Sequence, residues 1–102
     1  MRIIRQGDVL LQEINSLPKG LKKKKDKIVQ WGEQTFHAHQ FPVDSKGVEL
    51  LMKGEEMYLQ IAVPSPLEHP EHNTLIIEPG MYKKTIEREW NYSDEALRKV
   101  VD

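Results

Sequence analysis

The stretch Val48-Glu49-Leu50-Leu51-Met52-Lys53-Gly54-Glu55-Glu56-Met57-Tyr58-Leu59-Gln60-Ile61-Ala62-Val63 reads as a β-hairpin. Lys53 to Glu56 supply the turn. In the second arm Met57, Leu59, Ile61 and Val63 alternate with Tyr58, Gln60 and Ala62, the two-residue period of a strand with one apolar face. The same short-strand signal recurs on both sides of this hairpin. Residues 2–5 and 8–14, either side of Gln6-Gly7, are rich in Ile, Val and Leu, and residues 28–31, 34–41, 75–77 and 81–90 read the same way. Asn15 to Gly20 is turn chemistry. Pro64, Pro66 and Pro70 remove backbone donors from residues 64–73, so that stretch is expected to be a loop. Ser93 suits an N-cap, with Asp94 and Glu95 in the first turn, Arg98 and Lys99 in the last, and Leu97, Val100 and Val101 on one stripe. The expected fold is therefore mainly β: a small antiparallel β-barrel or sandwich, one domain over residues 1–102, with a short helix near 93–101.

Composition narrows the function classes. At 102 residues the chain suits one core. It has no apolar run near the ~18 residues of a membrane span, and residues 1–20 lack a signal-peptide pattern, so a cytoplasmic protein is expected. With no cysteine, disulfides, thiolate catalysis and cysteine-ligated zinc are excluded, and any metal must be held by nitrogen or oxygen. The run Lys22 to Lys27, broken by Asp26, reads as a solvated edge or loop. Trp31 or Phe41 could stack on a base, but a formal net charge of −1 makes nucleic acid an unexpected partner.

The chemistry lies in four histidines. On a strand over 34–41, Thr35, His37, His39 and Phe41 share one face, and His37 and His39 project about 7 Å apart at Cα, close enough to converge on one ion. His69-Pro70-Glu71-His72 carries a second pair in a proline-stiffened turn. Two such pairs suit a divalent transition metal, zinc first, with nickel, iron, manganese or copper as alternatives, over magnesium or calcium. Three bound histidines would leave a coordination position open for catalysis, whereas four would close the site; the sequence leaves both open. Glu71 is the candidate proton-transfer residue, and Glu33, Asp44 and Glu68 are further carboxylates in the same segments. The bland alternative is four surface or hydrogen-bonded histidines with no ligand role.

Gly32 to His39 followed by Asp44 resembles a degenerate first cupin motif, in which glycine precedes His-x-His and an acidic residue follows. Pro64 to His69, with Asn73 beyond, is similar to the second motif. The resemblance implies a small jelly-roll barrel with metal on His37, His39 and His69, and only this likeness brings redox chemistry at iron into view. The order Gly7-Asp8-Val9-Leu10-Leu11, His37-Ala38-His39, His69-Pro70-Glu71-His72 and Pro79-Gly80-Met81-Tyr82 also resembles short bacterial and phage-encoded proteins. Two functions are expected from these residues. One is a metal-dependent β-barrel protein whose task at the ion is either recognition of a small molecule or chemistry, which would be of hydrolase or lyase type and would activate water or a substrate oxygen. The other is a non-enzymatic module whose histidines brace a loop for a protein partner or a homo-oligomer.

Overall fold

The computed structural model describes residues 2–32 and 37–87. Among them the chain runs through ten strands: β1 (Ile3–Gln6), β2 (Val9–Ile14), β3 (Lys22–Lys23), β4 (Ile28–Trp31), β5 (Ala38–Gln40), β6 (Val48–Lys53), β7 (Glu56–Ile61), β8 (Ser65–His69), β9 (His72–Ile77) and β10 (Gly80–Ile86). They form a six-stranded sheet in the order β1-β2-β10-β7-β6-β3 and a four-stranded sheet in the order β4-β5-β8-β9. Every pairing is antiparallel. Both sheets end in unpaired edge strands, so the architecture is two open sheets and not the closed barrel that the sequence also allowed. Closure would need a ladder joining the sheets, and among the described residues none does. The helix expected near 93–101 lies outside the described residues.

The hairpin that decides the fold is present: Leu50 pairs with Leu59, and Lys53 with Glu56 across Gly54-Glu55. Gly54 has φ +62°, the left-handed value that a two-residue hairpin turn requires and that favours glycine. The β1–β2 turn is built alike, with Gln6 paired to Val9 and Gly7 at φ +60°. Apolar residues from both sheets meet in one core, including Val9, Leu11, Val48, Leu50, Leu59 and Tyr82 from the larger sheet and Val29, Leu67 and Ile77 from the smaller. Val63, expected on the apolar face of β7, falls beyond the strand and is half-exposed.

The proline segment departs from expectation. Ser65–His69 and His72–Ile77 form a hairpin closed by Pro70-Glu71, with Pro66 paired to Ile76. Pro66 is accommodated because β5 pairs with β8 only at Gln40 and Glu68, so at Pro66 the strand has a neighbour on one side and no second ladder demands its missing N–H. Pro70 fixes φ near −65° and rules out the turn that Gly7 and Gly54 make. A register shift between Leu67 and His69 accompanies it.

The lysine run, expected as a solvated edge or loop, is both: Lys22–Lys23 form an edge strand and the residues up to Lys27 connect it to β4. β3 is the outer strand of the larger sheet, Lys23 pairs with Glu49 at 2.8 Å, and Lys24 pairs with Asp26. Lysine on an edge strand discourages pairing with another chain.

Leu59 is fully buried opposite both Leu50 and Tyr82. Leu59→Ala is expected to cost about 3 kcal/mol of unfolding free energy, read as a lowered urea midpoint with an unchanged slope.

Candidate metal centre

The two histidine pairs reach the same place by different routes. His39 lies within β5, with His37 just ahead of it. His69 and His72 end β8 and begin β9, directly opposite each other across the two-residue turn. Because β5 is hydrogen-bonded to β8, the hairpin tip is carried to the histidines of β5. The ring centres of His39 and His69 are 4.3 Å apart, those of His69 and His72 4.5 Å, and those of His39 and His72, like those of His37 and His69, 5.9 Å. Imidazoles sharing one ion through a single nitrogen each have their centres about 4.5–5.5 Å apart, from Zn–N lengths of about 2.0–2.1 Å. All four line one cavity of about 310 Å³ with Asp8, Gly32 and Glu71.

Gln6 sets the chemistry of His39. Its side chain is buried, and its Nε2 donates to Leu67 O at 2.8 Å and to Asn73 O at 2.9 Å. Both amide protons are thereby used. The oxygen, 2.8 Å from His39 Nδ1, must accept, because the reversed amide would set its oxygen against two carbonyls. His39 therefore carries its proton on Nδ1 and turns Nε2 into the cavity, toward Asp8 Oδ1 at 3.6 Å. Burial pushes the His39 pKa down to about 4, helped by His69 and His72 and opposed by Asp8. Burial, then His72 and His37, lowers that of His69 as well.

Glu71 faces the other two ligand candidates. His37 Nδ1 donates to its Oε1 at 2.8 Å, and its backbone N–H donates to His69 Nδ1 at 3.0 Å. His69 Nδ1 thus accepts, which places its proton on Nε2, the reverse of His39. Among the described residues no three histidine, aspartate or glutamate side chains stand in a ready-made ligand arrangement. The rings have come together, with Nδ1 of His37 and Nδ1 of His69 engaged by Glu71.

The remaining carboxylates go elsewhere. Asp44 lines a separate cavity with Lys27 and Lys46. Glu68 lines a hollow with Ala38, Gln40, Thr74, Pro70 and His69, separate from the four-histidine cavity and bordering it at His69. Glu33 lies outside the described residues. Sequence reasoning passed over Gln6, Gly7 and Asp8. Gly7 packs against the cluster: a Cβ there would stand 2.7 Å from His72 Nε2 and 3.2 Å from His39 Cε1. The one signal was the tight Gly-Asp turn, which does not say what it packs against.

A family model for a domain of unknown function (DUF8820) matches residues 5–87. The chain belongs to that family. No curated protein and no solved structure matches it. The matched stretch contains all four histidines, Gln6, Asp8 and Glu71, so the whole cluster is part of the DUF8820 domain. Among the described residues no helix is long and apolar enough to cross a membrane.

Two outcomes are expected. Gln6→Leu strands two carbonyls and an imidazole N–H in a buried place and should cost about 3 kcal/mol by chemical denaturation, since each orphaned group costs about 1–3 kcal/mol. In metal-free protein an unfolded histidine takes up its proton near pH 6.5 and folded His39 near 4, so between those values the unfolded chain binds more protons. Stability is then full above pH 6.5 and falls toward pH 4, by at most about 3 kcal/mol from this residue at ~1.4 kcal/mol per pKa unit. Urea midpoints measured from pH 7 to 4.5 test this; a flat profile contradicts a buried neutral His39.

Proposed function

We propose that this domain binds one divalent transition metal ion, zinc foremost, in the cavity formed by His37, His39, His69 and His72. The observation that carries the reading is His39: Gln6 holds its proton on Nδ1, which leaves Nε2 as a free acceptor among three other imidazoles. Fixing the far nitrogen in this way is how proteins orient metal-binding histidines. His39, His69 and His72 are the closest set. His37, bonded to Glu71 at the rim, is the fourth ligand or stays out of the shell. The cupin likeness implies His37, His39 and His69, which shares two residues with this set. Nitrogen-rich donors favour zinc, nickel, copper or iron over magnesium or calcium, with manganese a weaker alternative.

The chemistry such an ion supplies is Lewis-acid activation of water or of an oxygen on a small-molecule substrate. Glu71, exposed at the rim and 2.8 Å from His37, is the group positioned to take the proton. A second reading has its own observation. The bonds from Glu71 to His37 and His69, with those from Gln6 to Leu67 and Asn73, already brace the β8–β9 tip, as an interaction module for a protein partner or a homo-oligomer would need.

Elemental analysis of untagged protein should find about one metal ion per chain, and zinc titrated into metal-free protein should bind once and raise the melting temperature. His39→Ala combined with His69→Ala should abolish both effects. Wild-type protein that takes up no zinc, nickel, cobalt, copper, iron or manganese overturns the metal reading and leaves the bracing module.

A further inference from the structure

We propose that Asp8 supplies a carboxylate oxygen to the same ion, which makes the centre a mixed nitrogen and oxygen site built from both sheets. This rests on the metal reading above. Its own support is the spacing of one atom pair: His39 Nε2 and Asp8 Oδ1 stand 3.6 Å apart. That separation is too long for a hydrogen bond. It is also too short for a bridging water, which at about 2.8 Å from each partner would hold them about 4.4 Å apart. Two ligands at about 2.1 Å from one tetrahedral ion are about 3.4 Å apart. Of the three, the ion fits.

The placement of Asp8 is built into the fold. Its carbonyl accepts from Glu87 N–H at 2.8 Å, and Arg5 Nε donates to the carbonyl of Gly7 at 3.1 Å. Arg5 and Glu87 are joined in turn by an ion pair at 2.8 Å. The turn is therefore fastened at both residues, and Gly7, with no side chain, lets it close onto His72 and His39. On the opposite side of His39 is the Gln6 oxygen. One nitrogen of the ring is thus held by protein, and the other faces a carboxylate at ligand spacing. A carboxylate in the set also shifts the preference away from copper(I), which favours soft donors, and toward zinc and its harder neighbours.

The test is Asp8→Asn, which keeps the shape and suits the turn, titrated with zinc alone and with cobalt(II) alone beside wild type. The dissociation constant should rise about tenfold or more, since even groups that only orient a ligand change affinity on that scale, and the visible cobalt spectrum should change with the lost carboxylate. Metal-free Asp8→Asn should be as stable to urea as wild type, because at 3.6 Å the Asp8 carboxylate makes no hydrogen bond to His39 for the change to remove; this separates lost ligation from lost folding. A change in affinity below about tenfold with the cobalt spectrum unaltered overturns the proposal while the histidine site stands. Wild type that binds neither metal overturns this proposal, and the histidine reading falls with it only if nickel, copper, iron and manganese are refused as well.

Discussion

The buried amide of Gln6 is the interaction on which the rest of the structure depends. Gln6 ends β1, one of the two edge strands of the larger sheet, yet its side chain is spent on the smaller one, through Leu67 of β8, Asn73 of β9 and His39 of β5. No ladder joins the two sheets among the described residues, so the shared apolar core, this buried amide and outer bonds such as Lys84 Nζ to Gln30 Oε1 at 2.8 Å do the joining. Burial makes the arrangement specific. A polar group cut off from water must be satisfied, and this one is satisfied in a single orientation. That orientation sets the tautomer of His39, so one residue couples the assembly of the fold to the chemistry of the cavity.

Glu71 has the opposite effect. Through its carboxylate it holds His37, and through its backbone it holds His69 with the nitrogen proton on the wrong side for Nε2 to ligate. Metal binding therefore competes with the hydrogen bond from Glu71 N–H to His69 at the tip of the β8–β9 hairpin, and the His69 imidazole must turn or shift its proton, whereas His37, with Nδ1–H on Glu71, keeps Nε2 for the ion. Pro70 limits the backbone's share of that adjustment, so side-chain rotation carries it. The histidine rings lie within about half an ångström of the separation a shared ion needs before the nitrogens are aligned, and Glu71 is exposed at the rim.

Much of this was legible in the sequence because it is local. The alternation from Met57 to Ile61, the Gly54 turn and the break at Gln6-Gly7 each specify strands within a few residues, and the His-x-His and His-x-x-His spacings predicted the two pairs that meet. The proline hairpin was misread. Three prolines argue against a strand bordered on both sides, and the sequence does not disclose that β8 at Pro66 has one neighbour. The barrel alternative depended on whether edge strands meet, which strand patterns do not encode. Gln6 and Asp8 were missed for the same reason: Gln6 reaches partners 33, 61 and 67 residues away, and nothing near it in the chain marks it as more than the end of a strand. Of the acidic residues singled out, Glu71 is at the cluster because the hairpin carries it there, while Asp44 and Glu68 lie at other hollows.

The account's central claim is that the imidazoles of both pairs serve one ion at His39 Nε2. Anomalous diffraction at the zinc edge, from crystals of untagged protein grown with one equivalent of zinc, tests it most directly. The account predicts a single strong peak about 2.1 Å from His39 Nε2, shared with His69 and His72. A peak bound only to surface side chains, or none in the cavity while Gln6 still holds His39, would contradict it.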